Sequence, residues 1–535
     1  MSAENSPTVP NPAPSATRWK HGLLLLLVVA SPAVFSLLAD NIWEDFFITY
    51  RSSLNLVHGN GLVFEAGHRV HTFTSPLGVL IPSGLAWIAR TDDPAVVMWL
   101  FRIVACVSLG LAWWLAGPRL RNGLSLALAA LFWALDVKIA AFSTNGMETA
   151  LLLLAVVMAW RALLDHRPVL AGLAFGFAMW VRPDGFIFIG ALVASVWLLR
   201  GDTQWRFKDW LTMALVAAAI YTPWFVWAWS YYGSPIPNTI IAKGTHLTPG
   251  ETLHLLAVYP YRFLFGHSAA HDAFLPPYFF FGEWPGWMTW YGRVMALAAA
   301  GVAAWPRCPR PARVAGLAFV LGGTYLTITT RAPWYFPAWA LLAYFAVAGG
   351  IATAWEVLRQ HPAWRWVVAG FAVALIAAQA WLFVAVTFQL RTQQRMIEWG
   401  VRAPIGRSLK NSALSPHETV FLEPLGYIGY YSNLSMRDTP GLCAPDVVKL
   451  RKSGVLSMGA LITALKPDWA VLRASEFVAL APAERANLER DYFLAATHDV
   501  RPAVNAIPWL PGREFLLMDA YYTIWRRKPV TGAAP

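Results

Sequence analysis

Apolar runs of membrane-spanning length recur along the chain, at residues 22 to 39, 95 to 116, 122 to 140, 148 to 163, 209 to 229, 286 to 306, 312 to 330, 334 to 353 and 365 to 389. The polar segments between them sort by charge. PRLR (Pro118 to Arg121), Arg161 to Arg167, WRFK (Trp205 to Lys208), PRCPRPAR (Pro306 to Arg313) and RQHPAWR (Arg359 to Arg365) are basic and are expected on the cytoplasmic side. That assignment fixes the parity of the rest. With the amino terminus inside, the first run crosses outward and residues 95 to 116 must return, so SPLGVLIPSGLAWIA between them reads as a juxtamembrane or re-entrant piece. Residues 168 to 200 lie between two basic loops and are too long for one helix, which predicts two short helices broken at RPDG (Arg182 to Gly185). Gly172 and Gly176 in the first of these suit close helix packing. Eleven spans result, in a domain over residues 21 to 389 with external loops at 40 to 93 and 230 to 285. From about residue 390 the pattern changes to alternating patches such as ETVFLEPLGYIGYY and DWAVLR, which predict strands of a small external α/β domain over 390 to 535.

Composition agrees with an all-α polytopic membrane domain followed by that α/β unit. The 535 residues are 57% hydrophobic and 13% charged, far from a set of soluble domains. The net charge of +12 resides largely in loops that orient helices, and no P-loop, dinucleotide fingerprint or aromatic-interleaved basic patch points to nucleotide or nucleic acid. Residues 1 to 20 are Pro-, Ser- and Ala-rich and read as a disordered cytoplasmic tail. Arg18 and Lys20 before the first apolar run resemble a signal peptide, but the length of the run favours an uncleaved anchor. Cys106, Cys308 and Cys443 fall in a helix, a cytoplasmic loop and the external domain, so they are not expected to pair.

On this topology ionisable side chains gather on the external face. Glu44, Asp45 and Arg51 follow the first span, and Asp136 and Lys138 lie near the outer end of the third, where they either join a site or snorkel to the interface. Arg182 and Asp184 occupy the helix break, and Asn238, Lys243, Arg331 and Tyr335 come later. Singly, each is best read as a solvated loop residue. Together, cations beside carboxylates suit a site that holds an anionic group and abstracts a proton. His58, His68 and His71 include an HRVH spacing, but without a third ligand at helical spacing a metal site is the minority reading. The Trp-rich segments read mostly as an aromatic belt.

The first-loop block WEDFFITYRSSLNLVHGNGLVFEAGHRVHTFTSPLG resembles the signature of a GT-C glycosyltransferase group that includes the arabinofuranosyltransferases of bacterial envelopes. STNGMETALL, VRPDG, YYGSPIPNTIIAK, LEPLGYIGYYS and RDTPGL extend the resemblance over most of the chain. It implies a multi-pass enzyme of the bacterial inner membrane that takes a sugar from a polyprenyl phosphate, such as decaprenyl phosphate, on the periplasmic side. The acceptor would be an envelope glycan, a glycolipid or a protein, and no nucleic acid is involved. A first-loop carboxylate would be the catalytic base. Asp45 matches the second acid of the family's pair, while Glu44 stands where the family more often has Asp, so either can be the base, with Asp45 preferred. Arg331, Lys243 and Arg182 are the expected phosphate ligands, and Arg51, Asp184, Tyr335, Asn238, Asp136 and Lys138 the expected substrate contacts. No organic cofactor is expected, and a divalent metal remains compatible. Arabinofuranose is the favoured sugar, with mannose or another hexose as the alternative. A lipid or glycan transporter would instead carry an inverted repeat and acids near the midplane, neither of which is visible.

Overall fold

The computed structural model describes residues 14–120, 122–199, 205–244, 247–328 and 332–529. Its first part is a helical bundle: α1 (Pro14–Ala39), α2 (Glu44–Val57), α3 (Pro76–Ala89), α4 (Pro94–Ala116), α5 (Gly123–Leu135), α6 (Val137–Thr144), α7 (Thr149–Leu164), α8 (Pro168–Val181), α9 (Phe186–Leu198) and α10 (Phe207–Tyr232). It continues through α11 (Asn238–Lys243), α12 (Pro249–Phe265), α13 (Ala269–Asp272), α14 (Trp287–Ala304), α15 (Arg310–Ile328), α16 (Phe336–Val357) and α17 (Pro362–Thr392). All eleven expected spans are therefore helical. Among the described residues six helices are both long and apolar enough to cross a membrane, or seven if α5 and α6, bent by 56° at Asp136, form one span. The helices α7, α8 and α9, of 16, 14 and 13 residues, fall short of a full crossing by length. They find their partners inside the protein: α7 is almost wholly buried, and α8 and α9 flank it. The break between α8 and α9 occupies Pro183–Gly185, and Gly172 and Gly176 let α8 approach the backbone and side chains of α10 at Met213, Val216 and Ile220.

The segment after the first span is a helix rather than an irregular loop. In α2, Phe46, Phe47, Tyr50 and Ser53 are buried at helical spacing. Glu44 and Asp45 occupy its first turn, where the exposed N–H groups favour negative charge. The apolar α3 that follows has only 14 residues and packs on α2 and α4 without crossing.

A π-helical stretch, Gln393–Arg402, joins α17 to α18 (Ala403–Ser412) and the α/β unit. Its five strands are β1 (Thr419–Leu422), β2 (Ser435–Asp438), β3 (Trp469–Arg473), β4 (Tyr492–Asp499) and β5 (Tyr521–Arg527), in the order β2-β1-β3-β5-β4. β1 runs parallel to β2 and β3, whereas β5 is antiparallel to β3 and β4. The stretch GYIGYY, expected to continue as strand, is instead α19 (Gly426–Ser432). Its tyrosines at 427, 430 and 431 follow the helical period, and all three rings meet Phe47 of α2.

The α/β unit thereby grips α2. Arg51 is buried, donates to the Gly429 carbonyl at 2.9 Å and the Leu434 carbonyl at 3.1 Å, and lies 4.3 Å over the Phe64 ring. Gly426 touches the other end of the helix so closely that a Cβ there would sit 2.1 Å from the Glu44 carbonyl oxygen.

Candidate active site

Successive residues of a helix point roughly 100° apart, and α2 uses that angle to send its two acids in different directions. Asp45 shares a face with Ile48 and Thr49, at i, i+3 and i+4, and this face lines a cavity of about 400 Å³. Among the described residues no hydrogen bond or ion pair engages the Asp45 carboxylate. Glu44 shares its face with Phe47 and Arg51 and turns toward the α/β unit, away from the cavity. It accepts from the Gly426 N–H at 3.1 Å and from Arg402 at 3.2 Å. Arg402 also pairs with Glu398 at 2.9 Å and Asp519 at 2.7 Å, and Asp519 in turn holds Arg473. Burial pushes the Glu44 carboxyl up to about 8, because Arg402 offsets only part of the desolvation and the neighbouring acids oppose ionisation.

The cavity is walled by pieces from distant parts of the chain: α2, residues 72 to 75, the turn before α7, the helix break, α11 and residues 332 to 335. Arg182, at the break, is its buried hub. It donates to Glu148 at 2.8 Å, to Asp184 at 3.0 Å and to the Tyr335 hydroxyl at 3.0 Å, with its guanidinium 4.8 Å over the Tyr335 ring. Two carboxylates therefore offset its charge and fix its direction. Lys243, the last residue of α11, also lines the cavity, is exposed, and has no hydrogen bond or ion pair among the described residues. Gly146, with φ +97°, also lines the cavity and leaves room for the Phe46 ring where a Cβ would collide at 2.5 Å.

Of the expected site residues, Asp45, Arg182, Asp184, Lys243 and Tyr335 thus meet at one cavity. Glu44 lies one helix face away from it. Four others are not brought there. Arg51 is spent on backbone carbonyls of the α/β unit, and Asn238 donates to the Gly441 and Leu442 carbonyls at 2.7 and 2.9 Å, anchoring α11 to that unit. Asp136 and Lys138, rather than reaching an interface, are buried at the α5–α6 bend. There Asp136 caps α6 through the Ile139 N–H and accepts from the Tyr344 hydroxyl, while Lys138 donates to the Leu275 carbonyl. A helix bend inside the bundle leaves backbone groups to satisfy, and Asp136 does so at the bend while Lys138 satisfies a carbonyl of the chain after α13. Arg331 lies outside the described residues. Glu148 was not singled out in advance, since one acid before an apolar run looks like an ordinary helix start; its signal was its place in STNGMETALL.

The histidines have structural partners. His58 pairs with Asp92 at 3.0 Å, His68 with Glu65 at 3.6 Å, and the His71 ring stacks on Tyr232 at 4.4 Å. The three cysteines are unpaired. Among the described residues no group of three or more His, Cys, Asp or Glu side chains is arranged to hold a metal ion.

This architecture is shared with solved structures. ArnT from Cupriavidus metallidurans, in the apo state, superimposes over 96% of this chain and 100% of its own, with a TM-score of 0.55 at 14% identity. The chain has the GT-C fold. The undecaprenyl phosphate-bound form of the same ArnT gives a TM-score of 0.54, and an Archaeoglobus fulgidus oligosaccharyltransferase gives 0.50 at 13% identity over 90% of this chain and 73% of its own. In sequence, this GT-C chain is 28% identical over 220 residues to a terminal β-(1→2)-arabinofuranosyltransferase of Mycobacterium tuberculosis and 25% identical over 229 residues to one of Corynebacterium glutamicum. Each match covers 37% of this chain, and the chain spans about a third of the length of these relatives, 34% and 32%. A family described as a domain of unknown function (DUF8728) matches residues 388–523, the α/β unit.

Proposed function

We propose that the protein is a bacterial inner-membrane glycosyltransferase that moves a sugar, arabinofuranose by preference, from a polyprenyl phosphate to a hydroxyl of an envelope glycan. The observation that carries the reading is that a carboxylate, Asp45, and an ammonium, Lys243, neither of them paired among the described residues, line one cavity of the GT-C fold. A sugar hydroxyl becomes an effective nucleophile when a carboxylate within hydrogen-bond reach removes its proton in the transition state. The leaving polyprenyl phosphate gains charge as the glycosidic bond breaks, and a cation in a water-poor site stabilises that charge. Asp45 fills the first role and Lys243 the second. Arg182, whose charge Glu148 and Asp184 already offset, holds those acids and Tyr335 in place at the cavity wall, which leaves Lys243 as the cation for the phosphate. With one carboxylate free to act as base, direct displacement with inversion is the simplest course. Donor chemistry of this type is consistent with the polyprenyl phosphate bound by the similar ArnT, and the sugar with the arabinofuranosyltransferases similar in sequence. The cavity and the α/β unit share one face of the bundle, which the basic loops assign to the periplasm. A mannosyl or other hexosyl donor is the second reading within the same chemistry. The test is to incubate the purified protein in lipid vesicles with a panel of polyprenyl-phosphate sugars and measure which are consumed. Consumption of the arabinofuranosyl donor supports the proposal, consumption of a hexosyl donor alone replaces the sugar, and consumption of none removes the enzyme reading.

A further inference from the structure

The chain between the candidate span α10 and the helix α14 contains a helix, α12, whose surface is not that of a solvated loop. Tyr259 and Phe263, one turn apart, are buried against the bundle, and the Tyr259 hydroxyl donates to the Val320 carbonyl of α15 at 3.0 Å. Val320 lies eight residues before α15 ends at Ile328, so at ~1.5 Å per residue this contact is ~12 Å along the helix from its end. The chain after α12 is held at a similar level. Arg293, six residues beyond the start of α14, donates to the Gly266 carbonyl, and Ala270 lies beside Gly323 of α15. The remaining surface of α12 divides in two. Leu253, Ala257, Tyr261 and Leu264, spaced by four, four and three residues, form one exposed stripe that Phe265 extends; Leu253, Tyr261 and Phe265 are 69%, 67% and 70% exposed. Glu251, His254 and Arg262 lie along one edge of that stripe, and the first of them closes a capping box with Thr248.

We propose that α12 is a re-entrant helix lying in the leaflet on the side of the α/β unit, with its Leu253 to Leu264 stripe against phospholipid acyl chains. A helix satisfies its own backbone groups and tolerates hydrocarbon where an irregular loop does not. The polar edge is what such a helix needs at the headgroups, where Arg262 can extend its guanidinium while its stem stays apolar. Docking on α15, itself a candidate span, well below that helix's end sets the depth, and the preceding candidate span α10 holds the segment at the membrane.

The experiment uses the full wild-type chain in phosphatidylglycerol vesicles containing a phospholipid with a diazirine midway along one acyl chain. After irradiation, adducts are located by mass spectrometry of peptides, with the exposed Leu215 region of α10 as the internal reference. Embedding is supported by adducts on the Leu253, Tyr261, Leu264 and Phe265 stripe at a yield within about threefold of the α10 reference. Adducts on α10 with none between Pro249 and Phe265 would overturn it. Because no sugar transfer is measured, either result is independent of whether the donor reading holds.

Discussion

Two adjacent acids acquire different surroundings because they begin a helix. Asp45 lines the cavity with its carboxylate unpaired among the described residues, and Glu44 is locked to Gly426 and Arg402. The Glu44 carboxyl is raised from its ordinary value of 4.5 to about 8, so folding retains a proton that the unfolded chain loses. Its contribution to stability is accordingly complete below pH 4.5 and is lost as pH rises through about 8. Glu44→Gln, which cannot ionise, should flatten the fall in Tm between about pH 5 and 8, and an unchanged slope would place the titration elsewhere. At the same cavity, Lys243→Ala should raise the KM for the lipid donor and lower kcat, with at least about tenfold lost in kcat/KM, in keeping with the loss of one charge-assisted hydrogen bond to a phosphate whose charge grows in the transition state. Steady-state kinetics with varied donor would show it, and an unchanged kcat/KM would remove Lys243 from the phosphate.

At the scale of elements, the α/β unit sets the pose of α2, and through it the direction of Asp45. Gly426→Ala would drive a methyl into the Glu44 backbone, where a Cβ has 2.1 Å. The expected cost is about 1 to 3 kcal/mol of stability, with a fall in turnover although no cavity residue has changed. Unfolding midpoints and turnover measured together check it, and a variant with wild-type values in both would show that the contact does not matter. Which elements were legible in the sequence follows from what specifies them. Spanning runs are fixed by apolar length, and the RPDG break by Pro and Gly, so α1, α4, α10, α16 and the α8–α9 break lie where the pattern puts them. The helix α2 was hidden because Glu44, Asp45 and Arg51 are interspersed with its aromatics, a mixture that reads as a loop until α19 is present to cover it. Asp136 and Lys138 misled for a related reason. Hydropathy cannot register a bend that turns their side chains onto Tyr344 and the Leu275 carbonyl inside the bundle.

Across the whole molecule, the cavity draws on parts of the chain from residue 45 to residue 442, so no local motif contains it. Its cations and acids, Glu148 apart, could be shortlisted from sequence because charge is scarce in a chain that is 13% charged. Their assignment to cavity, interface or bundle interior required the fold. In the proposed reading the same fold separates two roles that the sequence left overlapping, with proton transfer at the cavity and the hold on the α/β unit at Glu44. The most direct test of that division is single-turnover transfer from a polyprenyl-phosphate sugar by purified Asp45→Asn and Glu44→Gln proteins in vesicles, each first shown to be folded. The account predicts that Asp45→Asn loses about 10²- to 10⁴-fold in rate, the usual worth of a general base, while Glu44→Gln stays within about tenfold of wild type. Transfer by Asp45→Asn at the wild-type rate would contradict it.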